Sequence, residues 1–120
     1  MSQGKVYCGR RGPSGRCSVL VLPSNAKGYN LPHVVRHSPD GFEWGYGGSG
    51  PADLALSLLT DATSGGVAEV WYQQFKADIV ANLDRNHWEL TGGEISQWLT
   101  LHRSMTPPRE QAKAAEGGAT

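Results

Sequence analysis

The residues Gly45-Tyr46-Gly47-Gly48-Ser49-Gly50-Pro51 have types and spacing that could do chemistry. Glycines let a backbone turn sharply and approach another group closely. Pro51 suits the first turn of a helix. Amides converging at a helix N-terminus can hold a phosphate or another anion. Gly47, Gly48, Ser49 and Gly50, with Tyr46 beside them, are therefore candidate binding residues for a nucleotide or other phosphate ligand. The run also fits G-x-G-x-x-G, but a dinucleotide site needs a buried parallel strand and an acid about 20 residues further on. Here the preceding segment is aromatic and alternating, and Glu69 is placed on the solvent face of a helix. A Walker phosphate loop is excluded, because no Lys-Ser or Lys-Thr follows the glycines. Gly47-Gly48-Ser49-Gly50-Pro51 approaches G-x-S-x-G, with Pro51 where the last glycine belongs. A serine nucleophile would need a histidine oriented by an acid, and His33, His37, His87 and His102 have no carboxylate at a telling spacing. Ser49 is thus read as a turn or capping hydroxyl. The simpler reading is a tight corner between strand and helix. Both readings require positive φ at one or more of Gly47, Gly48 and Gly50.

Arg10, Arg11 and Arg16 bracket a turn and form the second candidate. Guanidinium groups grip phosphates or carboxylates, and Tyr7, Tyr29 and Tyr46 offer stacking faces; a solvated hairpin tip is the plainer reading. Net charge is zero but unevenly spread. Residues 1–39 carry Lys5, Arg10, Arg11, Arg16, Lys27 and Arg36 and no acid, whereas residues 40–120 carry five basic and eleven acidic residues. The asymmetry fits an anionic partner, and it fits equally well two halves that attract each other within one fold. His33 and His37 would lie roughly 13 Å apart on a strand, too far to share a metal. No zinc or calcium spacing is present, the carboxylates suggest no acid/base pair, and no cofactor is expected. Cys8 and Cys17 are too few for a disulfide framework; a hairpin could set them face to face, but the expected compartment weighs against a native disulfide.

The elements that position these residues follow from periodicity. Lys5 to Arg10 and Cys17 to Leu22 read as strands around the turn Arg11-Gly12-Pro13-Ser14-Gly15. In the second, Val19 and Val21 share a face with Cys17, and Ser18, Leu20 and Leu22 share the other. Val34 to His37 and Phe42 to Tyr46 read as a third and a fourth strand, separated by the β-turn Ser38-Pro39-Asp40-Gly41. A first helix is predicted from Pro51 to about Leu59, with Asp53 in its first turn. A second runs from about Val67 to Leu83, where Val67, Trp71, Phe75, Ile79 and Leu83 recur every four residues. Trp88 and Leu90 mark a short extended segment. Thr91-Gly92-Gly93-Glu94 is a capping box for a third helix that turns Ile95, Trp98, Leu99 and His102 inward. Strands first and helices later predict an α+β fold, a small antiparallel sheet of about four strands packed on one face by two or three helices. The expectation is one domain over residues 1–105 and a flexible polar tail over 106–120. No signal-peptide core or apolar run of about 18 residues is present, so a cytoplasmic location is expected.

Residues 38–59 resemble a family of small uncharacterised bacterial and phage proteins. The hallmark is F-x-W-G-Y-G-G-S-G-P-A-x-L-A-x-x-L, carried here by Phe42 to Leu58. Tyr72-Gln73-Gln74-Phe75-Lys76 and the Trp88 to Leu99 segment look like that family too, so the resemblance covers roughly residues 5–102. It supplies no catalytic residues. It implies a setting of phages and mobile elements, where small proteins bind and block a host machine. The expected function is that of a non-enzymatic binding protein acting by protein–protein association, an inhibitor of a host defence system whose partner is a host or phage protein. A nucleotide binder using the glycine loop is the alternative.

Overall fold

A computed structural model describes residues 4–103. β1 (Val6–Arg11) and β2 (Cys17–Leu22) form the hairpin that the alternation predicts. Gly15 closes its turn at φ 89°, a conformation that glycine adopts without strain. β3 is only Tyr29–Asn30. β4 (His87–Thr91) returns from the far end of the chain to pair with β1. The sheet is antiparallel throughout, in the order β3-β2-β1-β4. Helices α1 (Ser49–Ala62), α2 (Gly65–Asp78) and α3 (Gly92–Arg103) complete the expected α+β fold. The expected tail, 106–120, lies outside the described residues.

The core lies between the helices and the sheet face that carries Tyr7, Val19, Val21, Trp88 and Leu90, all buried. Trp71 and Phe75 of α2 are buried there with Leu54 and Leu58 of α1, as the four-residue period predicts. Gly9 fits the same packing, because a Cβ there would lie 2.2 Å from the Trp88 ring.

Two predicted strands are absent. Val34 to His37 and Phe42 to Tyr46 belong to a long irregular connection. The aromatic alternation at 42–46 does not come from a pleat: Gly45 takes φ 85°, so the chain turns between a buried Trp44 and an exposed Tyr46. The sheet is completed instead by Tyr29–Asn30 and by the Trp88 segment. The second helix also ends early. Its backbone leaves the helix at Ile79 and passes into a single 3-10 turn over Val80–Asn82. The Asn82 side chain donates to the carbonyls of Ala77 and Asp78, satisfying acceptors that the broken helix leaves open.

The capping box forms as read. Thr91 N–H donates to Glu94 Oε1 at 2.8 Å, and Glu94 N–H donates to Thr91 Oγ1 at 3.0 Å. Thr91→Ala is expected to lower stability by about 1 kcal/mol, measured by chemical denaturation; an unchanged midpoint would show that these bonds contribute nothing net.

Candidate functional site

The strand period separates the three candidate arginines. Neighbours in a strand point to opposite faces. Arg11 turns inward and forms a two-pronged pair with Glu43, at 3.0 and 2.9 Å. Its Nε donates to the Arg85 carbonyl at 2.9 Å, and its guanidinium lies 5.5 Å from the centre of the Trp44 ring. Arg11 thus ties the hairpin to the irregular loop. Arg10 points to the outer sheet face, and Arg16 sits in the turn; both are exposed. The Arg11 contact holds the Glu43 carboxyl below the usual glutamate range, against the opposing effect of burial.

The same sorting resolves the charge asymmetry. Three of the six N-terminal cations are bound to acids of the other half: Lys5 to Asp61, Arg11 to Glu43 and Arg36 to Glu69. Arg10, Arg16 and Lys27 stay exposed, all on β1, β2 or the connections beside them. The lopsided charge is therefore half internal glue and half exposed surface.

The glycine loop departs from both sequence readings in its backbone. Positive φ occurs at Gly15, Gly41 and Gly45, not at Gly47, Gly48 or Gly50. Gly48 is the N-cap in fully extended conformation, and Ser49 is the first helical residue, exposed, rather than a capping hydroxyl. Gly47 borders open space. A Cβ on Gly48 would meet the Tyr46 ring at 2.8 Å. A Cβ on Gly50 would lie 2.7 Å from Glu43 Cβ and 3.1 Å from its backbone nitrogen. Gly50 is therefore required for close approach of α1 to the loop. Pro51 is the third residue of the helix and has no N–H, which removes one donor from the crown an anion would need. The Glu43 backbone and side-chain stem also pack against Gly50, which leaves no room there for such an anion.

The polar centre that sequence reasoning missed is Asp53. It is the fifth residue of α1, fully buried, and not a first-turn carboxylate facing solvent. Its oxygens accept from the amides of Arg36 (3.1 Å), His37 (2.8 Å) and Ser38 (3.0 Å) and from His33 Nε2–H (2.9 Å). One turn later, Ser57 Oγ accepts from the Val34 amide at 2.9 Å. Burial works to raise the Asp53 pKa, but His33 and the three amides outweigh it and hold the group below its ordinary value. The only sequence signal was an Asp and a Ser four apart, Asp53 and Ser57, on the otherwise apolar face of α1. His37 stacks on Tyr72 and bonds its hydroxyl at 2.8 Å, so both histidines of the loop serve to dock it. Among the described residues no hydroxyl or thiol bonds to His33, and the His33–Asp53 pair holds the loop against α1.

A second carboxylate plays the same part at the other end of α1. Asp61 accepts from Lys5 Nζ (2.9 Å), Tyr7 Oη (2.6 Å) and Tyr29 Oη (2.8 Å). Burial opposes ionisation of Asp61, but these donors keep its pKa lowered, while burial first and Asp61 second push the Tyr7 hydroxyl upward. A cleft of about 280 Å³ lies between the hairpin turn and the loop, lined by Arg16, Cys17, Ser38, Asp40, Phe42 and Glu43. Burial and the nearby Glu43 push the Cys17 thiol up to about 11, so it is not a thiolate nucleophile at neutral pH. Cys8 and Cys17 are both free. The hairpin register pairs Cys8 with Leu20 and Cys17 with Arg11, which puts the two thiols on opposite faces of the sheet. No disulfide between them is possible.

The outer sheet face is the remaining feature. Leu20 and Leu22 of β2 point away from the helices and are each 42 % exposed. The register places Val6 beside Leu22 and Cys8 beside Leu20. Residues 7–101 match the model of a family of unknown function, DUF6166. The chain belongs to that family. The matched span runs from β1 to the last turn of α3, so it takes in the hairpin, the loop held by Asp53 and all three helices of this DUF6166 chain. No curated protein and no solved structure matches the chain. Among the described residues, no helix is long and apolar enough to cross a membrane, and no group of three or more His, Cys, Asp or Glu is arranged to hold a metal ion.

Proposed function

We propose that this protein is a non-enzymatic binding module that acts in the cytoplasm by association with another protein. One observation carries the reading. The three N-terminal cations not used in internal ion pairs, Arg10, Arg16 and Lys27, remain exposed around a hairpin that also exposes Leu20 and Leu22. An apolar centre with a charged rim is how protein interfaces are built. The polar groups that would otherwise suggest catalysis, Asp53 with His33 and Asp61 with Tyr7, are saturated by the contacts that hold the fold. In the phage and mobile-element setting that the resemblance implies, the partner is a host protein and the consequence is inhibition of a defence system. The nucleotide reading has less geometric support, because Pro51 removes a donor and Glu43 packs closely against Gly50.

The test is affinity capture from a lysate of the native host, using the intact chain and the variant Arg10→Glu/Arg16→Glu/Lys27→Glu. A stoichiometric partner is expected with the native chain and is expected to be lost with the variant. Both proteins should melt at the same temperature, since exposed charges contribute little to stability. Capture should also weaken as salt rises past the level where the screening length is about 8–10 Å. A partner held equally by both proteins would move the surface elsewhere. A nucleotide that raises the melting temperature by several degrees would replace the reading.

A further inference from the structure

We infer that the docking surface is the outer face of the sheet, and that its occupant is a protein segment of apolar side chains flanked by carboxylates, laid across the face rather than added to an edge. This rests on the binding-protein reading above and names the partner's chemistry.

The first argument is a broken alternation. A sheet covered on one side normally shows polar residues on the other. β4 obeys, with His87, Glu89 and Thr91 outward. The hairpin does not. Its outward positions are Val6, Cys8 and Arg10 on β1 and Ser18, Leu20 and Leu22 on β2, and four of these six are apolar. The cross-strand pairs Val6 with Leu22 and Cys8 with Leu20 join the four into one patch. Neither leucine is needed by the chain's own core, which takes Val19 and Val21 from the same strand.

The second argument concerns the edges. A peptide can extend a sheet only where strand amides are unpaired. The bonds Arg11 N–H to Asn86 O and Gly92 N–H to Lys5 O fix the phase of the β1–β4 ladder. They leave His87, Glu89 and Thr91 as the residues whose backbone faces the free edge. Two of those three amides are already taken, His87 by Asp84 Oδ1 and Thr91 by Glu94 Oε1. The opposite edge is β3, two residues long. Both edges are blunted and the face is open.

The third argument is charge and shape. Arg10 stands at one side of the apolar patch, paired across β1–β2 with Ser18. At the other side the backbone of Gly28 lies against Leu22, where a Cβ would sit 3.0 Å from its Cδ2, and this brings the exposed Lys27 alongside. Glu89 is the single acid on the face among the described residues. The complement of two cations around an apolar centre is an apolar segment with Asp or Glu at its margins. Among the described residues no Phe, Tyr or Trp lies on this face, so it offers no broad platform for stacking nucleic-acid bases.

The experiment is selection of a displayed library of random 16-residue peptides on the full-length chain. The selected peptides are then titrated against Leu20→Ser/Leu22→Ser and Arg10→Glu/Lys27→Glu. Expected are peptides rich in Leu, Ile or Phe with flanking Asp or Glu, whose affinity falls by about tenfold or more in each variant. All four substitutions are on the surface, and native melting of the variants excludes misfolding as the cause. No enriched peptide, basic peptides, or peptides insensitive to both variants would overturn the proposal; insensitive peptides would leave the binding-protein reading standing. Sedimentation velocity separates the other occupants. A dimer of the native chain that Leu20→Ser/Leu22→Ser abolishes would assign the face to a second copy and overturn the proposal. A Lys27–Lys113 cross-link within the monomer would assign it to the chain's own C-terminal segment, with the same result.

Discussion

Asp53→Asn is expected to destabilise the protein by about 3–5 kcal/mol, the range for removing one member of a buried charged network. Four donors converge on this carboxylate, and an amide side chain cannot accept all of them while its own NH2 group faces N–H groups. For a domain of this size each kcal/mol moves the melting temperature by about 4–8 °C. A fall of roughly 12 °C or more is therefore expected. Limited trypsin digestion should cut at Arg36 sooner in the variant, because the amide of Arg36 is one of those released. A pH series gives a second readout. The Asp53 pKa is lowered in the folded state, so its contribution is complete above the ordinary value of 3.8 and is lost as pH falls through the folded value. Asp61 and Glu43 behave in the same sense. The native protein should therefore weaken below about pH 4, and the gap between it and Asp53→Asn should narrow there. Melting temperatures within a degree of each other at pH 7 would show that the loop is held by other contacts.

Trp44→Ala should cost about 3–5 kcal/mol, as for other fully buried rings. Trp44 is 1 % exposed and is the largest fully buried side chain. It meets Trp88 edge-on, with ring centres 5.4 Å apart, and its Nε1–H donates to the Arg85 carbonyl at 3.0 Å. Its removal would leave a cavity, take one of two donors from the Arg85 carbonyl and leave Arg11 without the ring beneath it. Denaturant unfolding should show a lower midpoint at unchanged slope. Trp44→Phe should restore part of the loss, since the smaller ring fills some of the space but leaves a cavity and forgoes the hydrogen bond. A small effect of Trp44→Ala would mean that the irregular loop is not part of the core.

These two residues show why the candidate site was harder to read than the fold. Trp44 stood in the glycine-rich phrase that invited a ligand reading, yet its own part is to anchor the loop. Asp53 stands in the same phrase, where sequence alone assigns it to the helix dipole. Its donors lie 15–20 residues earlier, at His33 and at Arg36 to Ser38, with no spacing rule to link them. Likewise Arg10, Arg11 and Arg16 read as one cluster, until strand alternation turned Arg11 to Glu43 and left the other two at the surface.

By itself the sequence determined the features that rest on short-range periods. The β1–β2 hairpin follows from an alternation of two and a glycine turn. The buried face of α2 follows from steps of four at Val67, Trp71 and Phe75. The start of α3 follows from Thr91 and Glu94, whose reciprocal bonds span three residues. Tertiary structure alone decided the features that join distant segments. It paired β4 with β1, tied Lys5, Arg11 and Arg36 to acids of the other half, and clamped an irregular loop onto Asp53. It also left the outer sheet face uncovered. The physical reason is that a helix turn or a pleat repeats every few residues and so marks the sequence, whereas a hydrogen bond or ion pair across the fold depends only on where two segments meet in space.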